Sequence, residues 1–221
     1  MFLSDRDIKY AIESKNLIVI PPPDPFGYDE NSIDLHLAEV ELAKVWDIKA
    51  ATAASRSAGQ STQNHFLELG GFDYNAFAET CLVPVPDEPP NAEELGGPLV
   101  YRQGQRVVLK PYGFLLWMTK EVVGTPEDNP ELISFVNAKS TKARTGIMVH
   151  FTAPTINSGW KGQIVLELVN LGPFTFVLKP GDAIAQLTVA TISSRPDPQL
   201  RSKKKKSHTM NQADPSGRPA Q

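Results

Sequence analysis

Residues 139–170 hold the side chains best suited to chemistry. Lys139-Ser140-Thr141-Lys142-Ala143-Arg144-Thr145-Gly146 brings three cations and a hydroxyl pair into a short run. Such a cluster can neutralise a polyphosphate, and a fixed guanidinium and hydroxyl can organise a reacting centre with little reorganisation. Taken alone, the run reads as a solvated basic loop. Further on, Gln163-Ile164-Val165-Leu166-Glu167-Leu168-Val169 has the pattern of a β-strand carrying one carboxylate. Ile164, Leu166 and Leu168 share one face; Val165, Glu167 and Val169 share the other. That second face is apolar apart from Glu167, and a charge there is costly unless it is paired or put to use. A carboxylate so placed can relay protons. General acid-base work of this kind is typically worth ~10²–10⁴-fold in rate and runs best near a neutral pKa, toward which burial moves carboxyl groups. The alternative reading puts Glu167 on the polar side of an edge strand. His150, set among apolar strand residues, reads as a structural or regulatory group rather than a catalyst.

The elements that must position these residues are mostly strands. Ser4-Asp5-Arg6-Asp7 reads as a helix start: Ser4 can cap, Asp7 lies three residues on, and Ile8, Ala11 and Ile12 share a face. Residues 17–20 form an apolar run stopped by Pro21-Pro22-Pro23, and residues 32–37 alternate strictly with Ile33, Leu35 and Leu37 inward. Short apolar runs then recur at 107–109, 114–118, 132–136, 147–151, 164–169, 174–178 and 184–192, several of them separated by glycine- and proline-bearing turns. Residues 50–64, rich in Ala, Ser, Thr and Gln, read as a mobile insertion, and 84–98 as a loop. Many short strands after one helix predict an all-β fold, a barrel or jelly roll.

Composition narrows the function classes. The chain has 221 residues, 41% of them hydrophobic and 21% charged, which is ordinary for a globular domain. A net charge of -3 argues against bulk attraction to nucleic acid or anionic membrane, and no apolar run approaches the ~20 residues of a spanning helix. The opening residues lack a secretory pattern. The single cysteine, Cys81, excludes an internal disulfide, fits a reducing compartment and excludes the His/Cys/Cys zinc site of common nucleobase deaminases. The expected location is cytoplasmic.

Several motifs, in order, carry a resemblance. Residues 4–8 and 32–35, the turn in 109–116, the run 139–146, then 148–153, 156–162, 165–167 and 180–187 together resemble the dCTP deaminase branch of the dCTP deaminase/dUTPase superfamily. The likeness covers the N-terminal segment and about residues 105–192, leaving 38–104 mostly unmatched. It implies a distorted jelly-roll β-barrel of the dUTPase type with an N-terminal helix, spanning 1–195 with an insertion near 38–104. It implies a homotrimer with active sites between subunits, so that Ser140 and Arg144 serve a neighbour's Glu167. The implied reaction is metal-free general acid/base conversion of dCTP to dUTP and ammonia, with Mg²⁺ carried by the triphosphate, no zinc, and dTTP as an inhibitor. Glu167 would shuttle the proton, Ser140 hold the attacking water, and Arg144 organise the site. Lys139, Thr141, Lys142 and Ala143 complete the phosphate-binding run; Ala153, Asn157, Val165 and Leu166 fall at nucleotide-binding positions.

The departures from the family pattern also carry information. Lys139 stands where the motif has arginine, keeping charge but losing bidentate geometry. Asn157 stands where the family has an aspartate, and an amide cannot serve as a base, which argues against dUTP hydrolysis. In the basic tail 196–221, Gln212 matches a closing segment that folds over the nucleotide, His208 stands at its lysine position, and its tyrosine is missing. The lysines 203–206 fit either phosphate contact or a solubilising tail. Besides dCTP deamination, a dUTP pyrophosphatase, a bifunctional enzyme and a non-catalytic nucleotide-binding relative remain as alternatives.

Overall fold

A computed structural model describes residues 1–47, 49, 74–94, 96–197, 212 and 214–216. The insertion expected over 50–64, His208 and the lysines 203–206 lie outside the described residues. Helix α1 (Asp5–Glu13) begins as its sequence predicts. The Ser4 hydroxyl accepts the Asp7 N–H while the Asp7 carboxylate accepts the Ser4 N–H, a reciprocal cap, and Ile8 and Ala11 are buried.

Strands supply most of the rest. The first group comprises β1 (Ile18–Ile20), β2 (Tyr28–Asp29), β3 (Ser32–His36) and β4 (Lys44–Trp46). Helix α2 (Tyr74–Cys81) leads into β5 (Leu82–Pro84), followed by β6 (Val100–Gln103), β7 (Arg106–Leu109), β8 (Phe114–Gly124) and β9 (Leu132–Ala138). The short helix α3 (Ser140–Ala143) precedes β10 (Ile147–Met148), β11 (Thr155–Ile156), β12 (Lys161–Asn170), β13 (Phe176–Leu178) and β14 (Ala183–Thr191). One sheet runs β10-β12-β8-β4-β5 with β1 also on β8, a second runs β11-β9-β14-β3-β2, and a third runs β13-β7-β6. The first two enclose the main core, where Ile33, Leu35, Leu115, Trp117, Leu166 and Leu187 are fully buried. A bridge between Leu37 and Thr119 ties the end of β3 to β8, joining the two sheets toward a barrel. Most strands fall on the apolar runs named above. Strands β4 and β5 do not: they are three residues each, too short to show a period, yet they extend the sheet that carries β12.

The β8–β12 pair holds the irregularity that matters most for the site. Gln163 pairs with Val122 and Val165 with Met118, so three residues of β8 oppose the single Ile164. The extra residues bulge, and a bulge strands backbone groups that need partners. Thr119, fully buried, supplies them: its hydroxyl donates to the Glu121 carbonyl at 2.8 Å and accepts the Ile164 N–H at 2.9 Å. The bulge also turns Glu121 to the β3 end, where its carboxylate takes the His36 backbone N–H at 2.9 Å and contacts His36 Nδ1 at 2.8 Å. Thr119→Val keeps the shape but leaves the Ile164 N–H unpaired. Chemical denaturation should show a loss of about 1–3 kcal/mol, the usual cost of an orphaned buried donor.

Candidate active site

Strand β12 divides its side chains as the alternation requires. Leu166 and Leu168 are fully buried in the core, whereas Val165 and Glu167 are half-buried on the opposite face and line a pocket of about 580 Å³. Glu167 is no edge residue. Its backbone N–H donates to the Val149 carbonyl at 3.1 Å, and its Oε2 accepts the Phe151 N–H at 2.8 Å. This explains why the apolar run 147–151 is a strand only at Ile147–Met148. Beyond Met148 the chain bends, and the Phe151 amide finds a carboxylate where a strand would offer a carbonyl. The bend carries Phe151, Thr152 and Ala153 into the pocket lining.

The rest of the wall comes from distant segments. Phe114 and Leu116 belong to β8, Asn157 and Trp160 to the turn before β12, Trp46 to β4, Tyr74 to α2, and Gln212 and Pro215 to the C-terminal residues. Among the described lining residues, Glu167 is the one acid and no Lys or Arg appears. Trp46 and Tyr74 meet edge to face at 6.1 Å, and Phe114 and Phe151 pack at 5.8 Å, so the cavity offers ring surfaces beside one carboxylate. Burial, then the charges of Asp214 and Glu167, push the Tyr74 phenol up to about 12.

Glu167, Val165, Ala153, Asn157 and Gln212 are thus brought together, while Leu166 turns into the core. The run 139–144 goes elsewhere. Lys139 Nζ contacts the Asp34 carboxylate at 2.5 and 2.6 Å, and Lys142 Nζ donates to the Ala183 carbonyl. These contacts hold α3 against β3 and β14 with Ser140, Thr141, Ala143 and Arg144 exposed, and none of residues 139–144 lines the pocket. Gly146 ends the run at φ +95, and a Cβ there would strike Gly172, whose own Cβ would strike the Thr145 carbonyl. Two glycines therefore let the run close against the turn after β12. Among the described residues, no group of three or more His, Cys, Asp or Glu side chains is placed to hold a metal ion, and no helix is long and apolar enough to cross a membrane.

Sequence reasoning missed Trp46, Tyr74 and Pro215. Trp46 is the last residue of a strand too short to register, and the α2 helix lies in the stretch where no motif was found. A further pair was also silent. Lys44 Nζ sits 3.5 Å from Asp214 Oδ2, and Asp214 also accepts the Ser216 hydroxyl and amide.

Comparison with known proteins places these features. A family profile described as dCTP deaminase-like matches residues 87–192. A dCTP deaminase from Natronomonas pharaonis is 31% identical over 88% of this chain and 82% of its own length. A "dCTP deaminase, dUMP-forming" from Dictyoglomus thermophilum is 30% identical over the same shares. The solved 2'-deoxycytidine 5'-triphosphate deaminase from Agrobacterium tumefaciens superposes with a TM-score of 0.54 at 15% identity, covering 93% of this chain and 52% of that one. At that identity the likeness concerns the fold, and this chain spans about half the solved one.

The ionisation of Asp214 gives a direct check of its surroundings. Burial raises its pKa, but the Ser216 hydroxyl and amide and the Lys44 ammonium outweigh that and hold the carboxyl below its ordinary 3.8. With a lowered pKa, whatever stability Asp214 lends is present above its unfolded value and lost as pH falls through the folded one. Carboxyl-carbon NMR should place its midpoint below 3.8, and both Ser216→Ala and Lys44→Met should raise it.

Proposed function

The chain belongs to the dCTP deaminase family, and on that footing we propose that it hydrolyses dCTP to dUTP and ammonia at the pocket of Glu167. The observation that carries this reading is a single carboxylate, fixed by a backbone amide, in a cavity whose other described lining residues are neutral and include five aromatic rings. Deamination adds water to C4 of the cytosine ring, protonates N3 and releases the amino group. One group that takes a proton and hands it on can serve all three events. The Phe151 N–H fixes Oε2 of Glu167, leaving Oε1 to receive the proton of the attacking water and return it to N3. The same oxygen then takes the proton of the new C4 hydroxyl and passes it to the amino group, so that as the C4–N bond breaks ammonia leaves and the added oxygen becomes the uracil carbonyl. The backbone carbonyl of Ala153 would accept a hydrogen bond from the 4-amino group, and uracil, with an oxygen there, lacks that donor.

The triphosphate needs cations that the described residues of the pocket lining do not supply. We assign them to the exposed face of α3, with Ser140 and Arg144 of one subunit completing the Glu167 pocket of the next in a homotrimer. Mg²⁺ would arrive with the substrate's phosphates. Asn157 stands in the pocket where a second acid would be needed to activate water against the phosphates, so dUTP leaves intact. The second reading, suggested by the dUMP-forming relative, is a bifunctional enzyme that releases dUMP and pyrophosphate.

The test is product analysis after incubation with dCTP, CTP, dCMP or dUTP in the presence of Mg²⁺. Ammonia and dUTP should form from dCTP; dUMP and pyrophosphate would overturn the assigned product. Glu167→Gln should lower turnover by at least ~10²-fold while the protein still binds dCTP. An active Glu167→Gln enzyme would remove the proposed proton carrier.

A further inference from the structure

Three contacts fasten Gln212 and residues 214–216 at the pocket. Gln212 Nε2 donates to the Gln163 carbonyl at 2.8 Å, the Tyr74 hydroxyl donates to the Pro215 carbonyl at 2.7 Å, and Lys44 pairs with Asp214 at 3.5 Å. We propose that Lys44 and Tyr74 are positioning residues that lock this C-terminal segment in place as a wall of the nucleotide pocket. The inference rests on the reading of that pocket as the nucleotide site.

The locked segment builds the cavity without filling it. Gln212 and Pro215 line the pocket from a buried position, and about 580 Å³ remains, within the ~300–1,000 Å³ usual for small-molecule sites. The lock is also tied to the acid through the sheet. Lys44 of β4 pairs with Leu116 of β8, and Leu116 pairs with Glu167 of β12, so all three stand in one row on one face. At strand spacings of about 4.8 Å, Lys44 and Glu167 sit about 10 Å apart at the backbone. Asp214 draws the Lys44 ammonium toward the C-terminal segment, with only 17% and 24% of the two side chains exposed. Tyr74 holds the second point, and Trp46 packs edge-on against its ring. With a phenol that titrates near 12, Tyr74 remains a donor throughout the range in which an enzyme works.

An exposed ion pair alone contributes little. Here a half-buried pair and a neutral hydrogen bond act on the same few residues, so loss of either should loosen the whole segment. The experiment uses full-length Lys44→Met, Asp214→Asn, their double variant, and the conservative Tyr74→Phe. Two quantities are measured: amide hydrogen exchange of the 212–216 peptide without nucleotide, and KM and kcat for dCTP. Each single variant should speed exchange in that peptide and raise KM roughly 2- to 10-fold, with kcat within about twofold. The Lys44→Met/Asp214→Asn double variant should be no worse than either single one, because both break the same contact. Unchanged exchange in both Lys44→Met and Tyr74→Phe would overturn the lock, as would additive effects in the double variant or a fall in kcat at constant KM. Exchange needs no substrate, so a wild type that fails to deaminate dCTP would sink the assigned reaction while the lock is still judged on exchange.

Discussion

The Phe151 amide and the Glu167 carboxylate meet at 2.8 Å, and much of the site follows from that contact. The strand β10 ends two residues after it begins, so the chain beyond Met148 must find other partners for its backbone. The Glu167 N–H takes the Val149 carbonyl and the Glu167 side chain takes the Phe151 N–H, which folds residues 149–153 over the outer face of β12. A charge-assisted hydrogen bond of this kind fixes the rotamer of the acid at the same time as it fixes the loop. The same contact therefore fixes the acid and brings Ala153 into the same pocket lining.

The cations are kept apart from that acid by equally specific contacts. Lys139 is held by Asp34 on β3 and Lys142 by the Ala183 carbonyl on β14, so the short helix α3 lies against the second sheet. Its exposed side then presents Ser140 and Arg144 outward. Within one chain, therefore, the cations of α3 lie against the second sheet and the Glu167 carboxylate belongs to the first.

The stretch 38–104 has two characters. Strands β4 and β5 are structural members of the main sheet, and Lys44, Trp46 and Tyr74 reach the pocket or the segment that covers it. None of this was legible in the sequence. Three-residue strands show no period, and the contacts of Tyr74 with Pro215 and of Lys139 with Asp34 join residues 141 and 105 positions apart. By contrast, the capped start of α1 was readable because Ser4 and Asp7 are three residues apart and act on each other directly.

What the sequence determined by itself was local and periodic. Alternation along residues 163–169 set Leu166 against the core and Glu167 on the opposite face, because successive strand side chains must point to opposite sides. The order of motifs carried the family likeness. The tertiary structure alone decided what that opposite face would meet. Whether Glu167 would stand in solvent or in a cavity depended on a bend at 149–153, a helix some ninety residues earlier and a C-terminal segment some forty-five residues later. Chain separation of that size leaves no trace in local spacing, since such contacts are chosen by the packing of the whole sheet and not by neighbouring residues.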